Sequence, residues 1–249
     1  MIRAFGAHCH IETFTLLCDM MPIMDRRTFI GLGSLAVGVP SLGIAQPVMR
    51  PLPRGWNIVP SITVLFREDG DPRLPLVGDA AAFWNNVFSE LATQFRLGGL
   101  TQVRGAIPVE DLKMLSANIV GTGRPARQLP ESAKRIIGDI VVALSDGDFI
   151  SFATPPATGD KALVAIKNHG LFPLTLPNVA RNVIAHELGH AIGLGHNDDP
   201  TTLMCGRPAP CRPELFAAEG TKYFPLSEAD SGNLRRMYPP SWRAAQQSH

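Results

Sequence analysis

The run His186-Glu187-Leu188-Gly189-His190-Ala191-Ile192-Gly193-Leu194-Gly195-His196 decides how this chain reads. Its spacing is H-E-x-x-H-x-x-G-x-x-H. On a helix, His186 and His190 stand four residues apart, so their imidazoles leave one face about 6 Å apart along the axis. From there both rings reach a single ion at roughly 2.0–2.1 Å. A straight helix cannot bring a residue ten positions further on to the same ion. Gly193 removes the difficulty, because glycine takes a positive φ without a Cβ clash, ends the helix and turns the chain back. His196 then approaches from the side. Three neutral imidazoles leave a fourth tetrahedral position for water, the mark of a catalytic zinc site rather than a closed structural one. Glu187 lies about 100° around the helix from His186. It is therefore read as general base and not as ligand, since zinc brings the pKa of that water toward about 7. The same carboxyl later protonates the leaving amine. Surface histidines on an ordinary helix would leave Gly193 and His196 unexplained. Chance gives the five-residue pattern on the order of 10⁻⁵ times per chain.

These residues resemble the metzincin zinc endopeptidases. That family also carries a methionine in a tight turn beneath the metal, and Thr201-Thr202-Leu203-Met204 supplies one eight residues after His196. The interval is similar to that of the matrixin branch. So is Leu226-Ser227-x-x-Asp230 followed by Tyr238. Together the likeness covers residues 178–239, with a helix over 79–95 and a strand over 139–144 fitting more loosely. It implies an α+β catalytic domain with a twisted mixed β-sheet, an active-site helix, a Met-turn and a C-terminal helix. It implies one catalytic Zn2+ on His186, His190 and His196, with Glu187 as catalytic base and Met204 as apolar floor. It implies polypeptide substrates held extended against an edge strand.

Three features depart from the family. No cysteine-switch motif lies between residues 46 and 186. His169 and His249 are too few for a three-histidine structural zinc, although Asp146-Gly147-Asp148-Phe149 resembles the acidic part of that loop and offers oxygens for Ca2+. A solvated turn is the plainer reading. Gly206 stands where some branches carry a tyrosine ligand.

Outward from the motif, residues 177–194 read as one helix, with Pro177 in its first turn and Gly195 past its end. Residues 227–238 read as a last helix, with Ser227 and Asp230 set for a capping box and Pro239-Pro240 as a stop. Ala81, Trp84, Phe88, Leu91 and Phe95 make one stripe of an amphipathic helix over 79–95. Residues 62–66, 100–107, 139–144 and 162–167 read as strands. Residues 67–78 are turn-rich, and 109–130 show no clear period. The order is an α+β pattern with a mainly β half and a C-terminal helical part.

At the N-terminus, Arg26-Arg27 precede an uncharged stretch from 28 to 49 that is only moderately apolar. Gly43-Ile44-Ala45 makes a small-residue cleavage pattern. The order R-R-x-F resembles a twin-arginine export signal. Residues 1–45 are therefore expected to be a leader, with Met24 as the true start and 1–23 upstream of it. The single catalytic domain is then 46–249. A membrane anchor is the competing reading, weakened by the glycines and proline in the stretch. The expected location is periplasmic or extracellular. In an oxidising compartment Cys205 and Cys211 are expected to pair as a disulfide, with free thiols or a metal-binding thiol as alternatives.

Composition adds exclusions. With 249 residues, 45% hydrophobic and 18% charged, the chain is globular and neither collagen-like nor disordered. A net charge of +1 gives no footprint for nucleic acid and none for stable association with an anionic membrane. Oligomeric state is not readable. A non-catalytic, zinc-stabilised exported binding module is the competing function class, and a zinc hydrolase acting on non-peptide amides is a third.

Overall fold

Five strands form one sheet in the computed structural model, which describes residues 55–123, 128–156, 161–206 and 221–245. All of them fall within the unit Met49–His249. The strands are β1 (Ile62–Phe66), β2 (Leu100–Arg104), β3 (Ile140–Leu144), β4 (Phe152–Thr154) and β5 (Ala162–Ile166). Their spatial order is β2-β1-β3-β5-β4. Every pairing is parallel except β4 with β5, so β4 is an antiparallel edge strand. The helices are α1 (Arg73–Glu90), α2 (Val109–Thr122), α3 (Glu131–Lys134), α4 (Pro177–Ala191) and α5 (Glu228–Met237). Among the described residues, none of them is long and apolar enough to cross a membrane.

The unbroken apolar strands have a direct cause: β1, β3 and β5 are buried on both faces, as parallel strands between helices must be. Ile62, Val64, Ile140, Val142, Val164 and Ile166 join the core cluster that contains α1 and α4. Leu65, Val141, Ala143, Leu163 and Ala165 join Leu112 and Leu115 of α2 on the opposite face. The expected mixed sheet, long helix through the histidines and C-terminal helix are all present. The layering differs from a β half plus a helical half, because helices cover both faces of the sheet.

Element ends differ for identifiable reasons. α1 starts at Arg73, inside the stretch read as turns. Pro75 is tolerated because the first-turn N–H groups lack intrahelical partners in any case. The helix does not reach Phe95, because Ala92 adopts φ 55° and the chain leaves the helix there. Thr93 N–H donates to Phe88 O and Ala92 N–H to Ser89 O, the paired bonds of a Schellman ending. The strand read to 107 stops at Arg104. The unreadable stretch 109–130 contains α2, whose period is hidden by exposed Met114 and Val120.

Candidate metal centre

α4 lies against α1 and the sheet with eleven of its residues buried, His186 and Glu187 among them. Aromatic donors fasten it. Trp84 Nε1 donates to Ala185 O at 2.9 Å. Trp56 Nε1 donates to Ala191 O at 2.9 Å, and Tyr238 Oη to Ile192 O at 2.7 Å. The last two satisfy carbonyls that a helix C-terminus leaves without partners. Gly193, at φ 110°, ends the helix. Leu194 N–H donates to Gly189 O and Gly193 N–H to His190 O, which completes a Schellman motif. The chain then doubles back and carries His196 toward the helix, as the spacing requires.

The three histidines converge. Nε2 of His186 lies 3.2 Å from that of His196 and 3.1 Å from that of His190, and the His190–His196 separation is 3.0 Å. His186 Nδ1 lies 2.7 Å from Leu203 O, and His190 Nδ1 lies 2.8 Å from Leu194 O. A carbonyl only accepts, so in both rings the proton sits on Nδ1, a tautomer assigned from the bonding partners. Nε2 of both is then a bare lone pair. Two bare nitrogens at 3.1 Å repel unless a cation lies between them. A tetrahedral ion holding imidazoles at about 2.05 Å spaces the nitrogens about 3.3 Å apart, close to what is found. Desolvation of the His190 ring, with His196 beside it, pushes its pKa down to about 4, so it is neutral and ligand-competent at pH 7. The residues therefore fit a metal ion. Among the described residues, these three form the group of His, Cys, Asp or Glu side chains close enough to share one.

The turn after the third histidine supports the cluster from below. Cys205 N–H donates to Thr202 O at 3.4 Å, closing the turn around Leu203 and Met204. Leu203 turns its carbonyl to His186, and Met204 is fully buried. A Cβ on Gly189, in α4 between the two histidines, would lie 2.5 Å from Met204 Sδ. A Cβ on Gly206 would lie 2.3 Å from Cγ of His196. The third ring thus rests on bare backbone, which gives a steric reason for glycine at this position. Cys205 is disulfide-bonded; Cys211, its expected partner, lies outside the described residues, as does the leader.

The acidic turn after β3 carries two ion pairs. Asp146 pairs with Arg67 at 3.5 Å and Asp148 with Lys167 at 3.2 Å.

Several supporting residues carry no signal in the sequence alone. Asn178 and Asn182, two turns and one turn before His186 and nearly in line with it, clasp the chain entering the last helix. Asn182 accepts from Phe224 N–H at 2.9 Å and donates to Lys222 O at 2.7 Å, while Asn178 Oδ1 accepts from Lys222 N–H at 3.2 Å. Pro225 O then accepts from Leu203 N–H at 2.8 Å. Asn197, next to His196, bonds Asp230 of α5. Only the periodicity of α4 could have placed Asn178 and Asn182 near the histidines.

No protein-family model matches the sequence, and no curated protein matches it. Among solved structures, the chain is similar to an archaemetzincin from Methanopyrus kandleri, with 20% identity and a TM-score of 0.43, over 73% of this chain and 96% of that one. A likeness at that level bears on neither activity nor ligand.

Proposed function

We propose that this protein is a zinc-dependent endopeptidase of the metzincin type, on its matrixin-like branch. The observation that carries the reading is the convergence of three imidazole Nε2 atoms within 3.2 Å of one another. Two carbonyls hold the ring orientations, as in known zinc sites whose histidines donate their second N–H. An all-imidazole set suits zinc better than the oxygen-seeking cations.

When bound, the ion supplies Lewis acidity, acidifying a water and polarising the scissile carbonyl. Glu187, buried beside His186 on α4, takes one proton as the water oxygen bonds to the carbonyl carbon. It returns that proton to the amide nitrogen as the C–N bond breaks. β4 is one of the two edge strands of the sheet and packs against α4. An extended peptide would pair with it through backbone hydrogen bonds and run alongside that edge. The matrixin-like assignment is supported by the interval from His196 to Met204 and by the Ser227–Asp230 capping box.

The same reading makes residues 1–45 a cleaved export leader and places the enzyme in the periplasm or outside the cell. Arg26-Arg27 and the uncharged run after them support it.

The test is cleavage of an unfolded protein or peptide library by the purified enzyme. Internal bonds are cut, a chelator stops cutting, and stoichiometric zinc restores it. Cutting that survives complete metal removal refutes the reading.

A further inference from the structure

His196 differs from its two companions. It is exposed and lies on irregular chain, whereas His186 is buried on a helix. Burial therefore does not hold its ring in place, and the backbone that carries it has to be fixed by bonds. Asn197, the next residue, supplies them. Its N–H donates to Met204 O at 2.9 Å, and its carbonyl accepts from Gly206 N–H at 2.9 Å. Asn197 and Cys205 thus form a bridge of the parallel type. Its Oδ1 accepts from Asp199 N–H and from Thr202 Oγ1, both at 3.0 Å. Its Nδ2 donates to Asp230 Oδ2 at 2.7 Å and lies 3.5 Å from Ser227 Oγ.

The far end of this chain of bonds is itself anchored. Asp230 is 3% exposed. The oxygen that receives Asn197 also accepts from Ser227 N–H at 3.2 Å and from Ser227 Oγ at 2.7 Å, closing the α5 capping box. One buried carboxylate therefore caps the last helix and grips the residue beside the third histidine. The amide is matched to this place, since its oxygen faces donors and its NH2 faces an acceptor. A carboxylate at 197 would satisfy only one side, and an apolar side chain neither.

We propose that Asn197 is the positioning residue for His196, transmitting the fixed N-terminus of α5 to the third metal-binding imidazole. The proposal rests on the three histidines being a metal site. It predicts that metal affinity depends on the Asn197–Asp230 bond, although neither residue touches the ion.

An exchange of the two residues tests it. Asn197→Asp alone sets a carboxylate against Asp230 Oδ2, whereas Asp230→Asn alone can keep its amide oxygen on Asn197 Nδ2 and Ser227 and is the conservative control. Asn197→Asp with Asp230→Asn relieves that repulsion, because the new amide NH2 at 230 can turn to the new carboxylate at 197, at the expense of the bond from Ser227 N–H. Each full-length protein is titrated with Co2+ against a competing chelator. Its visible Co2+ spectrum and its metal-free thermal melt are recorded alongside. Asn197→Asp is expected to bind Co2+ roughly 10–100-fold more weakly, with an altered spectrum, Asp230→Asn to stay within about threefold of wild type, and the exchange to recover most of the affinity that Asn197→Asp loses. Asn197→Ser, which keeps a hydroxyl donor and acceptor, is the milder variant should the paired carboxylates prevent folding, and the same weakening is expected of it. A folded Asn197→Asp or Asn197→Ser variant that binds Co2+ like the wild type overturns the proposal. So does an exchange that recovers the melt and not the affinity, because that pattern marks a purely structural bond. If the wild type itself takes up no Co2+, the metal reading fails, and that result is distinct from the other two.

Discussion

Gly206 lies against His196 so closely that no side chain fits between them. Gly206→Ala would put a carbon 2.3 Å from the ring, and the ring, on an exposed loop, is the part that yields. Zinc affinity measured by chelator competition should fall at least roughly tenfold, the size of effect expected when a ligand's orientation is disturbed. The metal-free melt should move little, and unchanged affinity would show that the contact does not set the ring. The residues of the motif were legible in sequence because their relation is local: four residues apart on a helix, then a glycine turn. Asn197, Gly206 and the carbonyl of Leu203 were not. Their roles come from contacts between segments that only the fold brings together.

Among the elements, α1 shows how an ending can defeat a periodic reading. The stripe from Ala81 to Phe95 is real as packing, since Phe95 is buried and stacks on Tyr238 at 3.9 Å. Yet the helix stops before it, because Ala92 takes a left-handed conformation that sequence does not advertise for alanine. That conformation costs an L-residue about 1 kcal/mol or more. Ala92→Gly should therefore raise stability by about 1 kcal/mol in chemical denaturation, and a loss instead would mean the methyl contributes packing that outweighs the strain. Tyr238 contributes at the other end of the site, where its hydroxyl donates to Ile192 O and accepts from Trp56 N–H at 3.0 Å. Tyr238→Phe leaves both buried groups without that partner and should cost about 1–3 kcal/mol. Strands β1, β3 and β5 were legible because burial on both faces makes them continuously apolar. α2 was not, because its buried residues are few.

For the molecule as a whole, the order in which strands and helices stack was beyond the sequence. Nothing local says that α2 covers the opposite face from α1 and α4. Arg73 illustrates how the layers are tied. It is 1% exposed, and its guanidinium donates to Ser145 O at 2.8 Å and Lys167 O at 2.7 Å, so the start of α1 grips the ends of β3 and β5. Asp71 neutralises it at 2.7 Å. Burial alone would raise the pKa of Asp71, but the hydrogen bonds and charge of Arg73 outweigh this and hold it below the ordinary value. A depressed carboxylate pKa contributes stability that is present above about pH 4 and lost as pH falls through the folded-state value. Asp71→Ala strands a buried cation and should cost about 3–5 kcal/mol at pH 7. The deficit relative to wild type should shrink in melts taken below about pH 4; a deficit that stays constant with pH would remove the ion pair as its cause. The claim that the whole molecule serves is zinc-dependent peptide hydrolysis, and Glu187 is where it can be tested most directly. Bound zinc and peptide cleavage should be measured together on the wild type and on Glu187→Ala. The expected result is one zinc per chain in both proteins, with cleavage falling by roughly 10²–10⁴-fold in the variant, the usual contribution of a general base. A wild type that binds no zinc, or a variant that cleaves as well as wild type, would contradict it.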